Sequence, residues 1–157
     1  MIIVIKKKDG SIAIMRLAGV AAETYDNAPE HLDTIVQAEI DGWSSGADDV
    51  ASFRTMPDDA IPADRTFREA WRDDTPELSI DHCMTASRNI WRDRMRARRG
   101  PKLAALDIAF QRALETDADT AAIVAQKQAL RDCTADPAIE AAQTPDDLKK
   151  VWPQELD

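Results

Sequence analysis

The rhythm of apolar and polar positions divides this chain into three stretches. At the start, "IIVIKKKDGSIAIMRL" holds two β-branched runs around Lys8-Asp9-Gly10. Asp-Gly between apolar runs favours a tight hairpin, because Gly accepts a positive φ, so residues 2–6 and 11–17 are expected to pair as strands. In "NAPEHLDTIVQAEIDGW" the apolar Leu32, Ile35, Val36 and Ile40 recur at helical spacing, with Asn27 as a cap, Pro29 in the first turn and Gly42 at the end. That helix should cover one face of the sheet. "DVASFRTM" supplies a third strand at 50–56, so residues 1–56 read as a β-β-α-β head, marginal alone at about 60 residues.

The second stretch, "PDDAIPADRTFREAWRDDTPELS", is dense in Pro and Asp, and its apolar anchors are Ile61, Phe67 and Trp71. Residues 57–80 are read as an extended connector with one short helical turn at 66–71. Phe67 and Trp71 should dock it on something larger.

From Asp81 the pattern becomes helical. Met84, Trp91, Met95, Leu103, Leu106, Phe110 and Ala113 approximate a repeat of three and four, interrupted at Gly100-Pro101, where a kink or a break is expected. A second helix, capped by Asp117 or Asp119, places Ala122, Ile123, Ala125, Ala129, Leu130 and Cys133 along one side. It should fold back on 102–115 through a tight loop at 116–119. Alanine faces bury little area each, so a partner chain could supply what this hairpin lacks. Asp136-Pro137 and Thr144-Pro145 each open a short helix, and Trp152 anchors the tail. The predicted fold class is α+β: a small N-terminal β-β-α-β head followed by a mainly α-helical C-terminal hairpin over 81–157.

Composition sets the limits of this reading. The chain of 157 residues has room for one modest core, or a small domain followed by a helical region. Apolar residues at 44% against 31% charged are too many for a disordered chain. Cys83 and Cys133 match no metal-binding spacing and read as free thiols in a reducing compartment. No apolar run approaches the roughly 20 residues that cross a bilayer, and Met1 leads into only a short apolar run, so a soluble protein made in the cytoplasm is expected, with no membrane partner.

Patterns of catalytic or metal chemistry are weak. His31 and His82 have no convincing neighbours, and His82 and Cys83, being adjacent, point to different faces of a helix. The acid pairs Asp48-Asp49, Asp58-Asp59, Asp73-Asp74 and Asp146-Asp147 lack the alternating oxygens of a calcium loop and read as solvated loops and helix caps. Neither an enzyme nor a cofactor is implied.

Charge is where the chain departs from the ordinary. Its net charge is −9, yet "RNIWRDRMRARRGPK" sets six Arg and one Lys against the single acid Asp93. At about 100° per residue, Arg88, Arg92, Arg96 and Arg99 share one helix face, with Trp91 and Met95 on the next. Such a stripe could track phosphates. An acidic average field opposes that, and acids at 115, 117, 119, 132, 136, 140, 146 and 147 lie in segments expected to pack back on this helix or its copy. Carboxylates of the same or a neighbouring subunit are therefore favoured over nucleic acid.

"PADRTFREAW" (62–71) and "KQALRDCTADPAIEAAQTPDDLKKVWP" (127–153), with the arginine-rich helix between them, resemble the C-terminal part of small tail-fibre and tail-fibre-assembly proteins of tailed bacteriophages. Ala129-Leu130-Arg131-Asp132 and Trp152-Pro153 carry the likeness, and Lys102, Leu103, Leu106 and Asp107 fit a further helical pattern in part. The resemblance spans about 95 residues. It implies a non-enzymatic structural protein of the virion tail, made in the host cytoplasm, with other tail or fibre proteins as partners and a homo-oligomer, most readily a trimer. A chaperone absent from the finished particle is the alternative within the group, and a small DNA-binding regulator the alternative outside it. Adhesion would rest on Trp91, Met95, Leu106, Phe110 and Leu130, with Phe67, Trp71 and Trp152 docking the connector and tail.

Overall fold

Four consecutive apolar residues, Ile2 to Ile5, decide the architecture of the first half. The structure is a computed structural model that describes residues 1–19, 21–22, 29–42 and 47–157. It divides into two compact units, Met1–His82 and Cys83–Asp157. In the first, β1 (Ile2–Lys7), β2 (Ile12–Met15) and β3 (Val50–Met56) form an antiparallel sheet in the order β2-β1-β3. The hairpin forms where Asp9-Gly10 predicts it: Gly10 has φ +82°, Lys7 N donates to Ser11 O at 2.8 Å, and Asp9 Oδ1 accepts from Ser11 N at 2.8 Å.

Central β1 is covered on both faces, and Ile2, Ile3, Val4 and Ile5 are each at most 1% exposed. Ile3 and Ile5 meet Val36 and Ile40 of α1 (Leu32–Asp41), which ends at Gly42. The proposed cap Asn27 lies outside the described residues. Ile2 and Val4 meet Met56, Trp71 and Ile80, with Ile12, Ile14, Ala60 and Ile61 around them.

Residues 57–80 are thus not an extended connector, and the boundary between units falls after His82 rather than at 56 and 80. A strand buried on both sides needs two covers, and a single helix supplies one. Here the second cover is a turn at Arg68–Ala70, within the expected 66–71, followed by β4 (Trp71–Arg72) paired antiparallel with β5 (Asp81–His82). Arg54 fastens the loop between them. Its guanidinium pairs with the Asp73 carboxylate and donates to the carbonyls of Thr75 at 3.0 Å and Glu77 at 2.8 Å.

The second unit is helical. α2 (Met84–Glu115) runs for 32 residues with Pro101 inside it, so of the kink or break expected there, no break occurs. Pro101 and Ala97, whose carbonyl loses its donor, are both exposed, so water can take that carbonyl. α3 (Ala121–Asp132) folds back beside it. In the turn, Asp117 adopts φ +51° and Asp119 Oδ1 accepts from Ala121 N at 2.9 Å, but the cap position is Thr120, one residue later than either expected Asp, and its side chain makes no capping bond. Short α4 (Pro137–Ala141) and α5 (Pro145–Lys150) open on Asp136 and Thr144, whose side chains accept from Ala138 N and Asp147 N.

Candidate functional site

Arginine side chains on α2 and the orphan carbonyls of the chain folded back on it make one connected system. The last carbonyls of a helix have no partner within it and carry partial negative charge. Arg88 Nε donates to Ile139 O at 3.1 Å, and its Nη2 donates to Glu140 O at 3.1 Å and Ala142 O at 2.9 Å, closing the end of α4. Arg99 Nη1 donates to Arg131 O at 2.8 Å and Leu130 O at 3.3 Å, closing α3. Between them, Arg92 Nε donates to Thr134 O at 3.2 Å while its Nη2 pairs with Glu140. Arg96 turns outward to Asp93 at 2.6 Å.

Carboxylates were the expected partners, and Glu140 and Asp93 are such partners. The principal acceptors are instead main-chain oxygens, a target no charge pattern announces. Arg92's hydrogen bond, reinforced by the charges of Arg92 and Arg88, holds the Glu140 carboxyl below its ordinary range. The acid pairs are likewise engaged: Asp49 with Lys7, Asp58 with Arg16, Asp73 with Arg54, Asp74 with Lys6, Asp146 with Lys149 and Asp147 with Lys150.

An apolar layer lies beside the arginines. Met95 is fully buried and Trp91 is 8% exposed. Trp91 Nε1 donates to Val151 O at 2.8 Å, and its ring meets Trp152 edge to face at 5.1 Å. Trp152, half-buried, thus packs against α2. Ile139, Leu148 and Leu156, which the sequence reading did not single out, are fully buried. Each is one apolar position within a short turn, too brief to show a period.

Phe67 and Trp71 belong to the first unit and are 1% and 2% exposed in it. Trp71 Nε1 donates to His82 Nε2 at 3.0 Å across the β4–β5 pair, which gives His82 a structural partner. The other ten candidate residues lie in the second unit, but not in one place. Leu130 is buried, whereas Leu106 and Phe110 are half-buried further out between α2 and α3. Lys127 sits 5.0 Å over the Phe110 ring and 2.6 Å from Asp107. Between the helices an open groove of about 640 Å³ is lined by Lys102, Ala105, Leu106, Ala125, Ala129 and Leu130. Ile108, Leu114 and Val124, all on this hairpin, are 53%, 56% and 49% exposed.

Among the described residues, no group of three or more His, Cys, Asp or Glu could hold a metal ion, and no helix is long and apolar enough to cross a membrane. The arrangement offers adhesion: an interior already latched by arginine, and an outer hairpin with apolar surface in water. No protein-family model, curated protein or solved structure matches the chain.

Proposed function

We propose that this chain is a non-enzymatic structural protein of a bacteriophage tail, a tail or tail-fibre component that acts by adhesion between subunits. It is made in the bacterial cytoplasm, carried in the virion tail, and works as a homo-oligomer beside other tail or fibre proteins. The phage part of the reading rests on the resemblance of residues 62–71 and 127–153. Its adhesive part is carried by one observation, the open groove between α2 and α3 of the outer hairpin. Isolated apolar side chains are common on surfaces, so the weight falls on the groove, whose lining by Ala105, Leu106, Ala125, Ala129 and Leu130 is the kind of apolar concavity that another protein covers. Mass spectrometry of purified particles tests the reading: the chain should be present at a fixed copy number.

The same groove also favours a second reading, an assembly chaperone that shields a fibre's apolar surface and leaves. It predicts abundance in the infected cell and absence from the particle. A DNA-binding regulator fits less well, because Arg88, Arg92 and Arg99 already hold main-chain oxygens and are not free for phosphates.

A further inference from the structure

We propose that the outer edge of β3, with the groove between β3 and α1, receives an extended basic segment of a partner protein, which adds to the sheet as a fourth strand. This surface belongs to the first unit, so the inference goes beyond the adhesive reading of the outer hairpin and stands apart from it. Lys7 N donates to Ser11 O at 2.8 Å, and in the register of β1 on β2 this turns the backbone groups of Ile3, Ile5 and Lys7 towards β2. Those of Ile2, Val4 and Lys6 turn towards Met56, Arg54 and Ser52 of β3. The N–H and C=O groups of Ala51, Phe53 and Thr55 therefore point away from β1, and among the described residues no backbone group bonds to them. β3 is the longer of the sheet's two edges, with seven residues against four in β2. An open edge of that length is a template for another strand.

The ground beside that edge selects the kind of strand. Phe53, half-buried, shares an open groove of about 560 Å³ with the exposed stripe Asp33, Gln37, Ala38 and Asp41 of α1. Phe53 stands opposite Ile5, on the sheet face that α1 covers, so every second side chain of an added strand would enter this groove. The Phe53 ring and Ala38 offer an apolar contact, while Asp33 and Asp41, two helical turns or about 12 Å apart, offer carboxylates. From Leu17 to Phe53 the sequence holds eight acids and no Lys or Arg. The strands' own cations are engaged: Arg54 with Asp73 on the opposite face of the sheet, Lys6 with Asp74, Lys7 with Asp49 and Arg16 with Asp58. Lys8 lies in the β1–β2 turn, and His31 stands beside Glu30. The first unit as a whole has seventeen acids against eight Lys and Arg, which is the chain's entire net charge of −9. A second β3 would bring the same acids to the contact, so copies of this chain repel one another there. A strand with Lys or Arg at alternate positions around one apolar residue matches the groove in both charge and spacing.

The probe is a synthetic peptide of about eleven residues, Thr alternating with Lys and Val at the centre, so that Lys and Val share one face of a strand. Titrated into the full chain at about 50 mM salt, where exposed charges are little screened, it should bind saturably. Amide exchange followed by NMR gives the site: in the free chain Ala51, Phe53 and Thr55 should exchange fast and Ser52, Arg54 and Met56 slowly, and the peptide should slow the first three. A peptide of the same composition with its Lys out of alternation, and one N-methylated at the amides that face β3, should each bind about tenfold or more weakly. Asp33→Lys combined with Asp41→Lys, both at exposed positions, should weaken binding to a similar degree and leave the circular dichroism of the chain unchanged. No saturable binding at the lower salt, equal binding of the reordered or N-methylated peptide, or protection confined to residues away from β3 would each overturn the proposal. So would self-association of the chain that protects Ala51, Phe53 and Thr55, since the edge would then belong to a second copy.

Discussion

The two kinds of arginine on α2 should behave differently when removed. Arg88 donates to three carbonyls, and truncating it leaves those oxygens without their donor, while Glu140 keeps Arg92. Arg88→Ala should cost about 2–4 kcal/mol in denaturant unfolding of the second unit, since bonds to a charged group contribute about 1.5–3 each but do not add fully. Arg88→Lys should recover little, because an ammonium cannot reach three oxygens in a fork. Arg98→Ala should stay within about 0.5 kcal/mol of the parent monomer. Acid acts on the same latch. Glu140, ordinarily near 4.5, and Asp147, ordinarily near 3.8, are both lowered, the first chiefly by Arg92 and the second by Lys150 and Thr144. The folded state therefore takes up these protons less readily than the unfolded chain. Their contribution is full above the ordinary values and drains away as pH falls through them towards the lowered ones. Melting temperature followed from neutral pH downward should fall in that window, and Glu140→Gln should flatten part of the fall.

At the scale of elements, the long periodic pieces were legible and the short ones were not. The Asp-Gly hairpin, α1, the α2–α3 hairpin and the Pro-opened α4 and α5 follow from period, turn chemistry and caps, all local properties. The role of 57–80 does not. No periodicity marks a segment that covers a sheet through Ile61, Trp71 and Ile80, one residue at a time, and the clue lay elsewhere, in the unbroken apolar run of β1. An alternating strand needs one cover, and Ile2-Ile3-Val4-Ile5 demands two. Among the candidate residues, Trp91, Met95 and Leu130 were legible as core. The acceptors of Arg88, Arg92 and Arg99 were not, because every residue has a carbonyl and only the fold says which are unpaired. Trp71→Ala should accordingly damage the first unit by about 3–5 kcal/mol, as the loss of a buried aromatic does. Proteolysis of 57–80 would report it, and cleavage no faster than in the parent would refute the second cover. Trp71→Phe should keep most of the packing and lose the bond to His82.

On the scale of the whole molecule, the contest between protein and nucleic acid is settled by titration. Labelled duplex DNA should bind weakly or not at all at low salt. Tight binding whose logarithm falls with log salt by about 0.9 per phosphate would instead restore the arginines as a nucleic-acid stripe. The division into two units makes a separate forecast: Trp71→Ala and Arg88→Ala should each lower the transition of its own unit and leave the other within about 0.5 kcal/mol. The arginine latch carries one more consequence, and it concerns inheritance. A guanidinium that grips main-chain oxygens does not read the side chains that carry them. Positions such as Ala138 and Ala141, exposed in the structure, are then open to drift, provided that the helices still end where they do and buried Ile139 and Leu148 stay apolar. Descendants of this chain could rewrite much of the surface of residues 134–147, apart from the caps Asp136 and Thr144 and the paired Glu140, and still close against the same three arginines, so common ancestry would outlast visible likeness longest in α2.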